Sequence, residues 1–197
     1  MLERIILAVL AYLLGSVPFG LIIGRLVGKV DIRTAGSRNT GATNVARLVG
    51  MKWGLLALAL DILKGLVPVL AAKAVDHDPV FLSVVAGLAL AGHIWSVFLG
   101  FQGGKAVATT IGAFAGLAFW AVLIAVGACV AVIALTRYVS LGSLTLGLSL
   151  PLACALTGQT AYAPLAFLIT LLLFWRHREN LVRLARGQES KLGRKKA

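Results

Sequence analysis

The stretch Asp31–Arg47, DIRTAGSRNTGATNVAR, is dense in Gly, Ser, Thr and Asn, with arginines near both ends. Small residues let backbone N–H groups converge, hydroxyls and amides add donors, and arginine adds a bidentate charge; together these suit a phosphate group. Thr40–Ala46 has no strong breaker after Gly41, so it is expected to open the second membrane helix and aim a helix N-terminus at the anion. A second stretch, GHIWSVFLGFQGGKAVATT from Gly92 to Thr110, sets Gly103, Gly104 and Lys105 just before another expected helix start. It is not a Walker A loop: the first glycine of that motif would fall at Leu99, and Ala106 stands in place of Ser/Thr. A third, RHRENLVRLARGQE from Arg176 to Glu189, puts His177 and Asn180 on one helix face with Arg176 and Arg183 close by. Attraction of a basic interfacial helix to anionic lipid accounts for these arginines but not for His-x-x-Asn or Glu189. RYVSLGS, Arg137 to Ser143, adds an arginine and two serines.

Two ionisable residues, Asp61 and Lys64, sit three apart inside an apolar run, on one helical face. Intramembrane charges are costly and tend to pair or to line a polar site, so an ion pair is expected, with support of the nearby loop as its second role. His93, also inside an apolar run, is read as a structural hydrogen-bonding residue before a catalytic one. Cys129 and Cys154 lie in apolar runs without ligand spacing or polar context, and are read as small apolar side chains in helices. No metal site is expected.

The elements that must position these residues are membrane helices. Of the 197 residues 59% are hydrophobic and only 13% charged, about half the charged share of an ordinary soluble domain. Mean hydropathy is +0.94. At about 20 apolar residues per crossing, the charges divide the chain into seven expected spans, at about 5–26, 53–74, 80–101, 106–118, 119–136, 139–156 and 161–175. The uncharged run 106–136 is too long for one straight helix, at about 46 Å against a hydrocarbon core of about 30 Å, so it is divided by a turn near Gly116–Trp120. Sixteen of the 19 Lys and Arg then fall on one face: six in Arg25–Lys52, Lys105, Arg137, and eight from Arg176 onward. The positive-inside rule makes that face cytoplasmic and the N-terminus external. The net charge of +12 is thereby explained by topology, so no nucleic-acid partner is inferred. The expected fold class is an all-α polytopic transmembrane bundle forming one domain, 1–197. Gly20, Gly24 and Gly28, and Gly112 with Gly116, form small-residue ladders expected to pack helix against helix.

Three long stretches in this order resemble the bacterial acyl-phosphate:glycerol-3-phosphate acyltransferases, membrane-integral enzymes, over essentially the whole chain. The family's first motif is similar to Ser16–Arg47, its second to Gly92–Thr109 and its third to Arg176–Glu189; DILKG at Asp61–Gly65 and RYVSLGS also fit. One departure is that Arg38 stands where the family usually has glycine, in Gly36-Ser37-Arg38-Asn39. If that position requires φ > 0, Arg38 strains the turn; alternatively it adds a phosphate contact.

The resemblance implies transfer of a fatty acyl group from acyl-phosphate to the 1-hydroxyl of sn-glycerol 3-phosphate, giving lysophosphatidic acid and phosphate in phospholipid biosynthesis, without a cofactor. It implies phosphate binding by Gly36, Ser37, Asn39, Gly41, Thr43, Asn44, Arg47, Gly103, Gly104, Lys105 and Ser143, with Arg38, at the departing position, as a further candidate contact. Catalytic parts fall to Ser37, Arg47, Lys105, His177 and Asn180, and supporting parts to Asp61, Lys64, Arg137 and Glu189. The expected location is the bacterial cytoplasmic (inner) membrane, the site facing the cytoplasm, with membrane lipid around it and an acyl-phosphate-producing enzyme as a candidate partner. An acyl-phosphate is already activated, so such an enzyme needs positioning, charge neutralisation and an oxyanion donor. The proton of the attacking hydroxyl goes either to His177 or to the substrate's own phosphate. The H-x-x-x-x-D acyltransferases are excluded, because the required aspartate is Leu82, Phe98 or Val182 after the three histidines. A small anion channel or transporter is the competing reading, and inverted repeats with polar groups at the midplane would mark it.

Overall fold

The computed structural model describes residues 1–193, which form two compact units, Met1–Leu117 and the chain from Ala118 onward. The first unit begins with α1 (Leu2–Ser16) and α2 (Phe19–Leu26). Pro18 separates them, since proline lacks an N–H and disfavours helical backbone in the residue before it; Val17 is extended, at φ −60° and ψ 119°. Together they form one apolar stretch of 25 residues with a break. A short helix α3 (Ala42–Leu48) then precedes α4 (Met51–Lys73). The expectation that Thr40–Ala46 opens the second membrane helix is corrected here. Gly50, at φ 117°, breaks the chain, so α3 is a seven-residue element of its own.

At one end of this unit Asp78 caps α5 (Pro79–Ile94), its carboxylate accepting from the Val80 N–H at 3.1 Å with Pro79 at the first helical position. The Arg4 guanidinium meets Asp76 there, and the Lys73 ammonium donates to the Gly116 carbonyl. A 3₁₀ turn at Val97–Leu99 extends α5 toward the other end, and α6 (Val107–Leu117) runs back beside α4. Gly112 brings the two backbones together: a Cβ there would lie 1.8 Å from the Ile62 carbonyl oxygen.

The Gly20–Gly24–Gly28 ladder seats the short helix α3, with Gly20 against Val45, together with the loop before it. It faces Thr40, Ile32 and Val49 in turn, so it packs the phosphate-suited loop onto α2. Ile32 and Val45 are fully buried in the cluster this creates with Leu21, Ile23 and Ala57.

The second unit contains α7 (Phe119–Thr136), α8 (Val139–Leu156), α9 (Ala163–Arg176) and α10 (Arg178–Ala185). Arg137 ends α7 in the left-handed conformation, φ 66°, and its N–H donates to Ile133. Pro151 within α8 withdraws the donor for the Gly147 carbonyl, and the Thr170 hydroxyl of α9 replaces it at 2.6 Å. A 60° bend separates α9 from α10. Among the described residues five helical stretches are long and apolar enough to cross a membrane, six if the bent pair counts as one. The expected span 106–118 corresponds to α6, whose 11 residues reach only about 16 Å.

Candidate active site

The first loop is built around Asn44. Its side-chain oxygen accepts from the Ser37 N–H at 2.9 Å, while its amide nitrogen donates to the carbonyls of Ile32 (2.8 Å), Ala35 (3.2 Å) and Asn39 (3.0 Å). The residue is 1% exposed and its amide is spent on the loop, which leaves its neighbours to face outward. Asn39 accepts from the Gly41 N–H, and Gly36 takes φ 62° where a Cβ would meet the Asn44 oxygen. Gly36, Ser37, Arg38, Thr43 and Arg47 are exposed, and Arg38 occupies the left-handed region at φ 58°. Two neighbouring arginines, Arg25 of α2 and Arg33 of the loop, are committed elsewhere: both bind the Asp31 carboxylate, at 2.9 and 2.7 Å. Hydrogen bonds from the Arg33 side chain and backbone, then from Arg25, hold the Asp31 carboxyl well below the usual carboxylate range.

The second loop folds back onto the helix that launched it. Gly103 donates to the Ile94 carbonyl and Gly104 to that of His93, each at 3.0 Å, so half-buried Lys105 emerges at the level of His93. Gly104 rests on the His93 ring and near the Thr40 hydroxyl; a Cβ there would come within 2.2 Å of His93 Nε2 and 3.1 Å of Thr40 Oγ1. The two loops singled out from their composition thus meet at Thr40 and Gly104.

Beneath them lies a polar floor that spacing alone does not reveal. Lys64 Nζ is 2.8 Å from Asp61 Oδ1, both residues 3% exposed, and it also donates to the Val17 carbonyl at 2.9 Å. The Thr109 hydroxyl and His93 Nδ1 are 3.0 Å apart, and Ser96 donates to the Ser16 carbonyl at 2.6 Å. Ser16, Asp61, Lys64, His93 and Ser96, with Thr40, line a pocket of about 10 Å³, room for about one water molecule. Ser16, Ser96, Thr40 and Thr109 carry no signal as site residues in the sequence; the Asp-x-x-Lys pair and the intramembrane His93 are what point to this place.

In the second unit the hub is Glu189. It accepts from Asn180 (2.6 Å), Ser140 (2.9 Å) and Arg183 (2.8 Å), tying the segment after α10 to the start of α8. Burial would raise its carboxyl, but the hydrogen bonds from Arg183, Asn180 and Ser140 prevail and hold it below the ordinary carboxylate value. His177, 2% exposed, closes α9 with its Nδ1 2.8 Å from the Leu173 carbonyl. A carbonyl only accepts, so Nδ1 carries the proton and Nε2 is the basic nitrogen. Buried Ser143 donates to Val139 one turn back, and Arg137 is exposed.

Fold and site together define a helical membrane protein whose polar loops are organised for anionic groups. A protein-family profile described as Glycerol-3-phosphate acyltransferase matches residues 5–187. The glycerol-3-phosphate acyltransferase of Maridesulfovibrio salexigens is 53% identical over 188 residues, 95% of this chain and 96% of the relative. That of Solidesulfovibrio magneticus is 56% identical over 182 residues, 92% of this chain and 91% of the relative. Among solved structures, PlsY (YgiH), described as an integral membrane glycerol 3-phosphate acyltransferase in the glycerol 3-phosphate form, superposes with a TM-score of 0.92 at 38% identity, covering 97% of this chain and 96% of that one. Its lysophosphatidic acid form gives 0.89 at 36% identity over the same shares. The chain belongs to the glycerol-3-phosphate acyltransferase family and is an integral-membrane, multi-pass acyltransferase of phospholipid synthesis.

Proposed function

We propose that this acyltransferase takes its acyl group from acyl-phosphate and delivers it to the 1-hydroxyl of sn-glycerol 3-phosphate. The observation that carries the reading is the meeting of the two loops at Thr40 and Gly104, with Lys105 next in the chain. A hydroxyl, closely packed glycine backbone and a cation are gathered there without an acidic residue in either loop segment, Gly36–Arg47 or Gly100–Lys105. The glycerol 3-phosphate and lysophosphatidic acid forms of the solved relative support the acceptor and the product.

The acceptor hydroxyl oxygen attacks the carbonyl carbon of the acyl-phosphate. The carbon–oxygen bond to phosphate breaks, phosphate departs with the electron pair, and the hydroxyl proton passes to it. Lys105, Arg47 and Arg38 neutralise phosphate charge, while the side chains of Ser37, Asn39 and Thr43 and the Gly36 amide supply donors; Gly41, Gly103 and Gly104, whose amides are bonded within the fold, let the backbone come close. Such work is positioning and electrostatics rather than covalent catalysis. Asn44 acts by shaping the loop. Ser143, His177 and Asn180 are assigned to the reaction by family resemblance, and Arg137 and Glu189 to support of the second unit.

The finer topology belongs to the same proposal: one acyltransferase domain in the bacterial inner membrane, seven crossings with α6 counted as one, N-terminus outside and site facing the cytoplasm. The one-sided basic residues support it. Contact with an acyl-phosphate-producing enzyme would shorten the path of a labile donor.

Purified protein in lipid, given acyl-phosphate and glycerol 3-phosphate, should release phosphate and lysophosphatidic acid in equal amounts. Product from acyl-CoA or acyl carrier protein, with none from acyl-phosphate, would overturn the donor assignment.

A further inference from the structure

Asp61, Lys64 and His93 lie beneath the phosphate loops, and the geometry points to a function for them. We infer that they are positioning residues that set Thr40 and Lys105 in register for the glycerol phosphate, an inference that rests on the proposed role of those loops.

Lys64 stands about 20 Å from the start of α4, where a charge has no access to bulk water. Its ammonium reaches two places at once, the Asp61 carboxylate and the Val17 carbonyl. Val17 is the break between α1 and α2, and Pro18 sets the entry of the chain into α2. A positive charge on that carbonyl satisfies the C-terminal end of α1 and favours its dipole. From the break the path is short. Gly20, two residues beyond Pro18, lies directly under Thr40, where a Cβ would come within 2.0 Å of the Thr40 carbonyl oxygen. A shift of the break therefore moves the surface on which the first loop rests.

The same carboxylate faces the second loop. His93 Nδ1 is 3.0 Å from the Thr109 hydroxyl and 3.9 Å from Asp61 Oδ1, so Thr109 holds the edge of the ring that faces the carboxylate. Its Nε2 edge supports Gly104, the residue before Lys105, and the His93 carbonyl accepts from the Gly104 N–H. One ion pair thus underlies both phosphate loops, through the break on one side and through His93 on the other. A pair kept only for packing would need none of these connections, and buried pairs are in any case weak sources of stability.

The test separates position from stability. A single replacement such as Lys64→Met strands a buried charge and is expected to impair folding. The double variant Asp61→Asn/Lys64→Met removes both charges, and Thr109→Val removes the support of His93 with little change in shape. Melting temperature, kcat, KM for glycerol 3-phosphate and amide hydrogen exchange of the two loops are measured for each. The double variant is expected to melt close to the parent, to raise KM for glycerol 3-phosphate at least tenfold, and to exchange the Gly103 and Gly104 amides faster. Thr109→Val is expected to raise the same KM severalfold with unchanged melting. Parental kinetics and exchange in Thr109→Val, or in a folded double variant, would overturn the inference. A parent protein that turns over no glycerol 3-phosphate would instead sink the proposed reaction, leaving the exchange measurement to judge the positioning role.

Discussion

Arg38 and His177 show how a single residue's surroundings decide between readings that its type leaves open. Arg38 holds φ 58°, a conformation that costs a residue with a Cβ about 1–2 kcal/mol. Replacing it with glycine removes that strain, and the unfolded chain gains freedom worth about 0.4–1 kcal/mol in the opposite direction. Arg38→Gly is therefore expected to stabilise the protein by roughly 0.5–1 kcal/mol net, seen as a melting temperature higher by about 2 °C. If Arg38 also contacts phosphate, KM for glycerol 3-phosphate rises in the same variant; an unchanged KM means the arginine contributes only strain. For His177 the question is the proton. Imidazole and substrate phosphate must each be deprotonated to take the proton, so either base would give an acid limb in the rate profile. With Nδ1 committed to Leu173, substitution by glutamine will cost activity whatever the base. The informative readout is the shape of the curve. His177→Gln is expected to keep the acid limb of its kcat profile, because the substrate phosphate titrates; a flat profile would assign the base to His177.

Among the elements, the segment after α10 depends most on one side chain. Glu189 gathers hydrogen bonds from α8 and α10, and the Leu192 N–H donates to the Arg137 carbonyl at 2.8 Å. A carboxylate whose folded-state pKa lies below its ordinary value stabilises the structure above the ordinary carboxylate range. That contribution is lost as pH falls through the lowered value. Glu189→Gln retains the size but gives up the charge-assisted bonds. Limited proteolysis should cut the tail several times faster in the variant at pH 7, with little dependence on pH toward the acid side. The parent should approach the variant's rate as pH drops, and equal rates at neutral pH would deny Glu189 its anchoring part. The helix α3 teaches a related lesson. Its residues carried no breaker that spacing could detect, and Gly50 alone, taking φ 117°, detached it from α4. The loop before it was legible as phosphate-suited from composition. The inward commitment of Asn44 was not, because its partners Ile32, Ala35 and Asn39 are set by the fold of the loop.

Across the whole molecule, span positions were legible because charges and turn residues bracket them: 119–136 and 139–156 coincide with α7 and α8, and the break expected at Gly116–Trp120 falls at Ala118. The polar floor was legible only as Asp61, Lys64 and His93, since Ser16, Thr40 and Ser96 come together from separate elements and Thr109 joins through His93. The short α6 bears on orientation. At 11 residues it reaches about 16 Å, half the hydrocarbon thickness, so counting by length omits it. Yet it does not start at the end of its unit. The Gly103–Gly104 backbone is bonded at the level of His93 and Ile94, and Thr109 packs against Gly65, near the middle of α4. From there α6 runs to Lys73, at the end where Arg4 meets Asp76. The proposed count of seven crossings requires the folded-back loop and the short helix to complete one passage of the first unit between them. Thiol labelling tests this directly. With Cys129 and Cys154 replaced by alanine, single cysteines are placed at His77, Gln102, Gln159 and Lys191. A membrane-impermeant reagent applied to intact cells should modify the positions at 77 and 159 and spare those at 102 and 191 until the membrane is opened. If α6 failed to reverse the chain, 191 would label with 77 and apart from 102, and the positive-inside assignment of the second unit would be inverted.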